Sequence, residues 1–317
     1  MSEPQIEISL EAVIVAVTDD QPRLLTVDGP DGRPALPAGL LEAHDPTLEL
    51  GLRRWVQDQT GLEVGYVEQL YTFGDRVRGA SAPAGPSVGS PSARELSIAY
   101  LALVREGRPS VGAAWLDFYQ VFPWEDHRNG RPAVLDSHVD PALHRYVDAG
   151  GALAEQRAER ARIVFGPEGG SGASFDGVRV LERYELLYEL GLLAESEHGP
   201  SGPAEALPQS RAMFLDHRRI AATALTRLRG KLTYRPVVFE LLPDRFTLSQ
   251  LQRVVEALSG VGLHKQNFRR MVEAAGLVEG TAELTRTGGR PAELFRFRRE
   301  VLGERPRPGV GTPWIRA

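Results

Sequence analysis

The densest group of side chains able to do chemistry lies near the C-terminus, at Lys265, Gln266, Asn267, Arg269 and Arg270. Gln and Asn hydrogen-bond adenine edges bidentately, while Arg and Lys read guanine or grip phosphate. Phe268, Met271 and Val272 take the opposite side of the same helical pattern. A second basic group follows, with Arg286, Thr287 and Arg290 in the glycine-containing run Thr285-Arg286-Thr287-Gly288-Gly289-Arg290-Pro291. Catalytic chemistry is poorly supplied by comparison. The 7 histidines are scattered and there are 0 cysteines, which removes disulfides, thiolate zinc sites and a cysteine nucleophile. No phosphate-cradling glycine loop and no Ser/His/Asp set stands out. The expectation is therefore no catalytic residue, no metal and no cofactor.

The elements around these residues have a recognisable order. Pro243 closes one short helix, and Thr247 caps the next with Gln250 three residues on, a capping box. Leu251, Val254, Val255 and Leu258 then recur at helical period. The turn Ser259-Gly260-Val261-Gly262-Leu263 leads into a basic helix, His264 to Ala275, and the strand-like runs 277–279 and 294–297 flank the basic hairpin. Helix, glycine turn, basic helix and hairpin make a winged helix-turn-helix, whose second helix enters the major groove. The hairpin reaches a phosphate or the minor groove with Arg286 and Arg290. Exposed Arg and Lys are ordinarily just solvated charges; here charge, helix order and hairpin agree.

Charge divides the chain in the same place. Residues 227–317 carry 17 Arg or Lys against 9 Asp or Glu, whereas the whole chain has 37 against 42. A basic end on an acidic body suggests a polyanion-binding module joined to something else. The 317 residues are 42% hydrophobic and 25% charged, which excludes wholesale disorder. No apolar run is long enough for a bilayer span and the first residues do not read as a signal peptide, so a cytoplasmic, membrane-free protein is expected.

The body reads as strands at 6–17, 24–27, 66–73 and 96–104, with a helix opening at Asp45 or Thr47 and ending at Gly61. Residues 79–93 contain only Gly, Ala, Ser, Pro and Val and read as a mobile loop. Pro141 to Phe165 reads as helical. Two linkers, 166–176 and 197–208, bracket a helix whose stripe Leu181, Tyr184, Leu187 and Tyr188 needs a partner surface, either its own domain or a second subunit. Another helix, 216–229, leads into the basic module.

Several segments together resemble the Nudix-related transcriptional regulators of NrtR type: Arg227-Leu228-Arg229-Gly230-Lys231-Leu232, Phe239-Glu240-Leu241-Leu242-Pro243, Asn267-Phe268-Arg269-Arg270 and Gly288-Gly289-Arg290-Pro291. Two more, Asp216-His217-Arg218-Arg219-Ile220 and Phe122-Pro123-Trp124-Glu125-Asp126, are similar to the divergent NadQ-like branch. The resemblance implies an α+β protein: a Nudix-like α/β/α sandwich over 1–165, a helical, dimerising extension over 166–229, a winged helix-turn-helix over 230–300 and a tail over 301–317. It also implies a regulator, read here as a repressor, of NAD biosynthesis or salvage genes, with double-stranded operator DNA and ADP-ribose as partners. A homodimer is expected because one winged module has a small footprint and two half-sites are the usual remedy. ATP and NAD stay open as effectors.

Residues 39–62 occupy the place of the Nudix box. Where Nudix enzymes hold Mg²⁺ with three glutamates, this chain reads Trp55, Asp58 and Gln59. A hard dication bridging to phosphates needs several oxygen ligands, and one carboxylate does not supply them. The expectation is a Nudix fold without hydrolysis; the alternative is a Nudix phosphohydrolase with an accessory nucleic-acid-binding domain. For a nucleotide effector, the resemblance and the need for cations and an aromatic slot point to Phe73, Arg76, Arg78, Arg94, Ser97 and Tyr100. Strand alternation puts Arg94 and Tyr100 on one face and Ser97 on the other.

Overall fold

The computed structural model describes residues 6–74, 94–105, 107–167, 175–196, 206–286, 291–304 and 309–310. The body is built on one mixed sheet. Strands β1 (Ile6–Thr18), β2 (Gln21–Asp28), β3 (Pro34–Ala35) and β4 (Ala38–Leu40) come first. Helix α1 (Leu48–Thr60) follows, then β5 (Tyr66–Phe73), β6 (Arg94–Leu103), β7 (Ala113–Asp117) and the single turn α2 (Phe118–Val121). The sheet order is β3-β2-β1-β6-β5, with β4 added to β1 and β7 to β2. β1 runs parallel to β6 and antiparallel to its other partners, so the strand with the longest apolar run is central.

Alternation along β1 and β6 sends side chains to two cores. Leu10, Ala12, Ile14, Tyr100 and Ala102 meet Leu52 and Val56 of α1 on one face. Val13, Val15, Ala99, Leu101 and Leu103 face the other helices. Helix α1 forms where the sequence places it: the Thr47 side chain accepts the Leu50 N–H at 3.2 Å, and Gly61 ends the helix at φ 69°.

The predicted helix over 141–165 is two helices, α3 (Asp140–Asp148) and α4 (Ala154–Phe165). Gly150-Gly151 separates them, and Gly151 takes φ 51°, a left-handed turn that favours glycine. Helix α5 (Val180–Glu189) and the long α6 (His217–Leu232) complete the second layer, with α6 packed on β1, β5 and β6. The stripe on α5 finds its partner in its own chain: Tyr184 and Leu187 are buried in the main core and Leu181 packs against it, while Tyr188 is half-exposed.

The C-terminal module contains α7 (Leu248–Ser259), α8 (Lys265–Ala274), β8 (Val278–Thr285), β9 (Ala292–Phe297) and the short α9 (Val301–Glu304). The Thr247–Gln250 capping box is formed on both sides. β8 and β9 pair antiparallel, and Phe246 and Phe295 exchange backbone hydrogen bonds at 3.0 and 2.8 Å, so a third segment joins the hairpin. Leu251, Val255, Phe268 and Val272 belong to the same continuous core as Val13 and Leu101. Among the described residues no helix is long and apolar enough to cross a membrane.

Candidate nucleic-acid interface and ligand-binding face

Phe268 and Val272 anchor α8 in the core, which turns Lys265, Gln266, Asn267, Arg269 and Arg270 to solvent. Asn267 Oδ1 accepts weakly from Arg270 at 3.4 Å. Other arginines of this module are neutralised: Arg245 pairs with Glu283, Arg253 with Asp20 at 2.9 Å and Arg296 with Glu279 at 2.6 Å. Among the described residues, none of Lys265, Arg269, Arg270 and Arg286 has a carboxylate partner. A row of unpaired cations on an exposed helix keeps its charge available to an outside polyanion. Arg286 is exposed at the end of β8, while Thr287 and Arg290 lie outside the described residues.

A buried ion-pair cluster of the body abuts the module. The Glu125 carboxylate accepts from Arg183 Nε at 2.5 Å and Nη2 at 3.0 Å, and from Arg229 Nη1 at 2.5 Å. All three side chains are at most 2% exposed. Burial pushes the Glu125 carboxyl up, but the two guanidinium charges outweigh it and hold the group below its ordinary value. Arg229 Nε also donates to the Leu258 carbonyl at the end of α7, and Tyr119 Oη donates to the Ala257 carbonyl at 2.7 Å. Next to them, the His127 backbone N–H donates to the Gly260 carbonyl at 2.7 Å. The His127 ring stacks on Phe175 with centroids 3.9 Å apart, and burial pushes its pKa down to about 4.

The box positions are occupied by structural contacts. Trp55 lies against Gly39, where an added Cβ would fall 2.1 Å from the indole ring, and its Nε1 donates to the Leu40 carbonyl at 2.8 Å. Gln59 brackets Ala38, accepting its N–H at 3.1 Å and donating to its carbonyl at 2.6 Å. Thus two of the three glutamate positions brace β4.

The effector candidates divide between the sheet faces. Phe73 and Ser97 are register partners on the face that packs α6. Tyr100 lies on the opposite face, beneath α1, where burial raises its phenol pKa. The backbone of Arg94 opens β6 opposite Ile6, and Arg76 and Arg78 lie outside the described residues, as does the 79–93 segment. Sequence reasoning missed the polar neighbours of Phe73 and Ser97. Ser9 and Glu11 are each 1% exposed on the same face, and His217 of α6 sits with Nε2 3.9 Å from Glu11 Oε2. The signal was present: Glu7, Ser9 and Glu11 alternate with Ile6, Ile8, Leu10 and Ala12, and so share a face.

Comparison with known proteins comes to the same architecture. Residues 238–297 match the NrtR DNA-binding winged helix domain family. The ADPR responsive transcriptional repressor NtrR of Acinetobacter baylyi is 39% identical over 85 residues, which is 27% of this chain and 34% of that relative. The matched part thus spans about a third of the curated relative's length. The crystal structure of Shewanella oneidensis NrtR complexed with a 27mer DNA superposes with TM-score 0.55 at 19% identity, over 93% of this chain and 95% of that one. A MutT/nudix family protein from Enterococcus faecalis gives TM-score 0.53 at 16% identity, over 94% and 88%. At such identities the two superpositions establish fold.

Proposed function

Residues 238–297 are an NrtR-type winged helix domain and the chain as a whole has the NrtR fold, and from that premise we propose a transcriptional regulator that binds operator DNA. The unpaired cation row on α8 carries this reading. Its Nudix-fold body senses an adenine nucleotide, with ADP-ribose first and ATP and NAD as the other effectors to test. The regulated genes are those of NAD biosynthesis or salvage, and the regulator is a repressor acting as a homodimer. The effector in the A. baylyi relative's name supports placing ADP-ribose first.

The body does not hydrolyse its ligand on this reading, because Trp55 and Gln59 are committed to β4 and Asp58 is the single carboxylate left among the three box positions. Purified protein with Mg²⁺ or Mn²⁺ leaves ADP-ribose and NADH intact. Turnover of roughly 1 s⁻¹ or more, abolished by Asp58→Ala, would establish the phosphohydrolase instead. DNA binding is tested by fluorescence anisotropy on fragments upstream of NAD genes, with and without ADP-ribose, ATP and NAD. Affinity falls steeply as salt rises, because α8 and the hairpin displace counterions from phosphates. Salt-independent binding, or equal affinity for upstream and random DNA, refutes the regulator.

A further inference from the structure

The turn between α7 and α8 is built against the body. A helix leaves its last four carbonyls without partners of its own. At the end of α7 the Glu256 carbonyl takes the Gly260 N–H at 2.9 Å, but the next two are met from outside the module. Ala257 accepts from Tyr119 Oη at 2.7 Å and Leu258 from Arg229 Nε at 3.0 Å. Just past the helix the Gly260 carbonyl accepts the His127 N–H, and His127 and Val261 form a parallel bridge. Ser259, Gly260 and Val261 are buried as a result.

Both glycines of the turn press on the backbone of 125–128. A Cβ on Gly260 would fall 2.4 Å from the Glu125 carbonyl oxygen, 2.5 Å from Arg229 Nη2 and 3.0 Å from Tyr119 Oη. One on Gly262 would fall 2.9 Å from the Arg128 carbonyl oxygen. Gly260 also takes φ 76°, a left-handed conformation where asparagine is the usual substitute for glycine. The surface it meets is fixed, since the Glu125 carbonyl accepts from Arg229 at 3.2 Å and its carboxylate holds Arg183 and Arg229. The far side of the turn is tied to α7: the Leu263 N–H donates to Glu256 Oε1 at 2.8 Å and its carbonyl accepts from Gln252 at 2.9 Å. Two residues on, α8 begins. Its 10 residues span about 15 Å, so a tilt of about 10° at the start carries the far end roughly 2.6 Å. A base-edge hydrogen bond does not survive that, because its donor–acceptor distance ranges over only about 0.5 Å.

We propose that Tyr119, Arg229 and the 125–128 backbone are positioning elements for DNA recognition: seated against Gly260, they set the angle at which α8 is presented, without touching DNA themselves. The assignment rests on the regulator reading. It adds a non-covalent connection between body and recognition helix, besides the chain that runs on from α6.

The test uses the full chain and fluorescence anisotropy on the upstream fragment that the wild type binds most tightly. Gly260→Ala adds both a Cβ and backbone strain, Gly260→Asn adds the Cβ while accepting the left-handed backbone, and Tyr119→Phe keeps the ring and removes one donor. Each is measured at a temperature where circular dichroism shows it folded. Affinity for the upstream fragment falls at least tenfold in both Gly260 variants and at least threefold in Tyr119→Phe. Affinity for random DNA stays within twofold, because that binding depends on the cations of α8 and not on their exact placement. A merely structural role lowers the unfolding temperature and leaves the folded protein's preference for the upstream fragment intact, which overturns the proposal. So does Gly260→Asn binding like wild type where Gly260→Ala does not, since the glycine then serves backbone conformation alone. The chain has 0 cysteines, so spin labels at Leu50→Cys and Glu273→Cys, diluted with unlabelled chain, report the distance from body to α8 without DNA. That distance shifts or broadens in Gly260→Asn and in Tyr119→Phe, and an unchanged distance in both overturns the positioning role. A wild type that prefers no upstream fragment to random DNA refutes the regulator reading instead, and the label distances still decide whether the body sets the angle of α8.

Discussion

Replacing Glu125 by Gln removes one negative charge from between two buried guanidinium groups and changes almost nothing in shape. Three charge-assisted contacts of 2.5–3.0 Å are lost or inverted, and Arg183 and Arg229 are left facing each other with no counter-ion. Breaking a buried pair from one side costs about 3–5 kcal/mol, against a total stability of roughly 5–15 kcal/mol for a folded domain. At about 2–4 °C per kcal/mol, the unfolding temperature falls by roughly 6–20 °C. Urea titration and calorimetry on wild type and Glu125→Gln measure this directly. The informative control is the triple change Glu125→Leu, Arg183→Met, Arg229→Met. With no charge left to strand, it costs less than the single substitution although it removes more contacts. A single-variant loss under about 1 kcal/mol, the value of an exposed pair, would refute the reasoning, as would a triple variant worse than Glu125→Gln. Because the Glu125 carboxyl is held below its ordinary 4.5, its contribution is complete at neutral pH and is lost only as pH falls below that value.

Acid sensitivity begins earlier, through His127. Its pKa is pushed down from 6.5 to about 4, so the unfolded chain binds the extra proton and stability falls as pH drops from 6.5 towards 4. His127→Phe, which keeps the stacking on Phe175, flattens that part of a stability–pH profile; an unchanged slope assigns it to other groups. In DNA binding, Asn267→Ala loses about 1–3 kcal/mol of discrimination between operator and random sequence if Asn267 reads a base, and equal discrimination removes it from the reading set. Sedimentation of the purified chain is expected at twice its 34.7 kDa, and a concentration-independent monomer mass refutes the homodimer. Leu187→Asp is not a clean probe of that assembly, since Leu187 is 0% exposed within its own chain and its replacement unfolds the core.

What the sequence revealed was local. The Thr47 cap, the Gly61 stop, the Thr247–Gln250 box and the amphipathic division of α8 depend on residues within one or two turns, and each stands in the structure as the pattern predicted. The Gly150-Gly151 break is equally local, and reading 141–165 as one helix passes over it. Alternation put Ser97 and Tyr100 on opposite faces correctly; which face meets which helix waited on the packing of α1 and α6. Pairings across long separations were not legible. Glu125 meets residues 58 and 104 positions away. The Arg-rich look of 216–229 suggested a lead-in to the basic module, yet Arg218 and Arg229 are both fully buried, against Glu195 and Glu125. Composition counts such arginines as surface charge, and only the fold shows where each is spent.

The distribution of unpaired charge also sets how this molecule meets a polyanion. Overall it is an anion of net charge −5, so at long range a duplex repels it. The repulsion is directional: the acidic body is pushed away while the end bearing Lys265, Arg269 and Arg270 is drawn in, and the resulting torque turns the particle before contact. Encounters that begin body-first are rejected, and those that succeed arrive with α8 leading. An overall basic protein would adhere in many poses and sort them on the surface; on the DNA-binding reading proposed above, this chain makes fewer, better-aligned collisions, and lower ionic strength sharpens the alignment as it lengthens the reach of both fields.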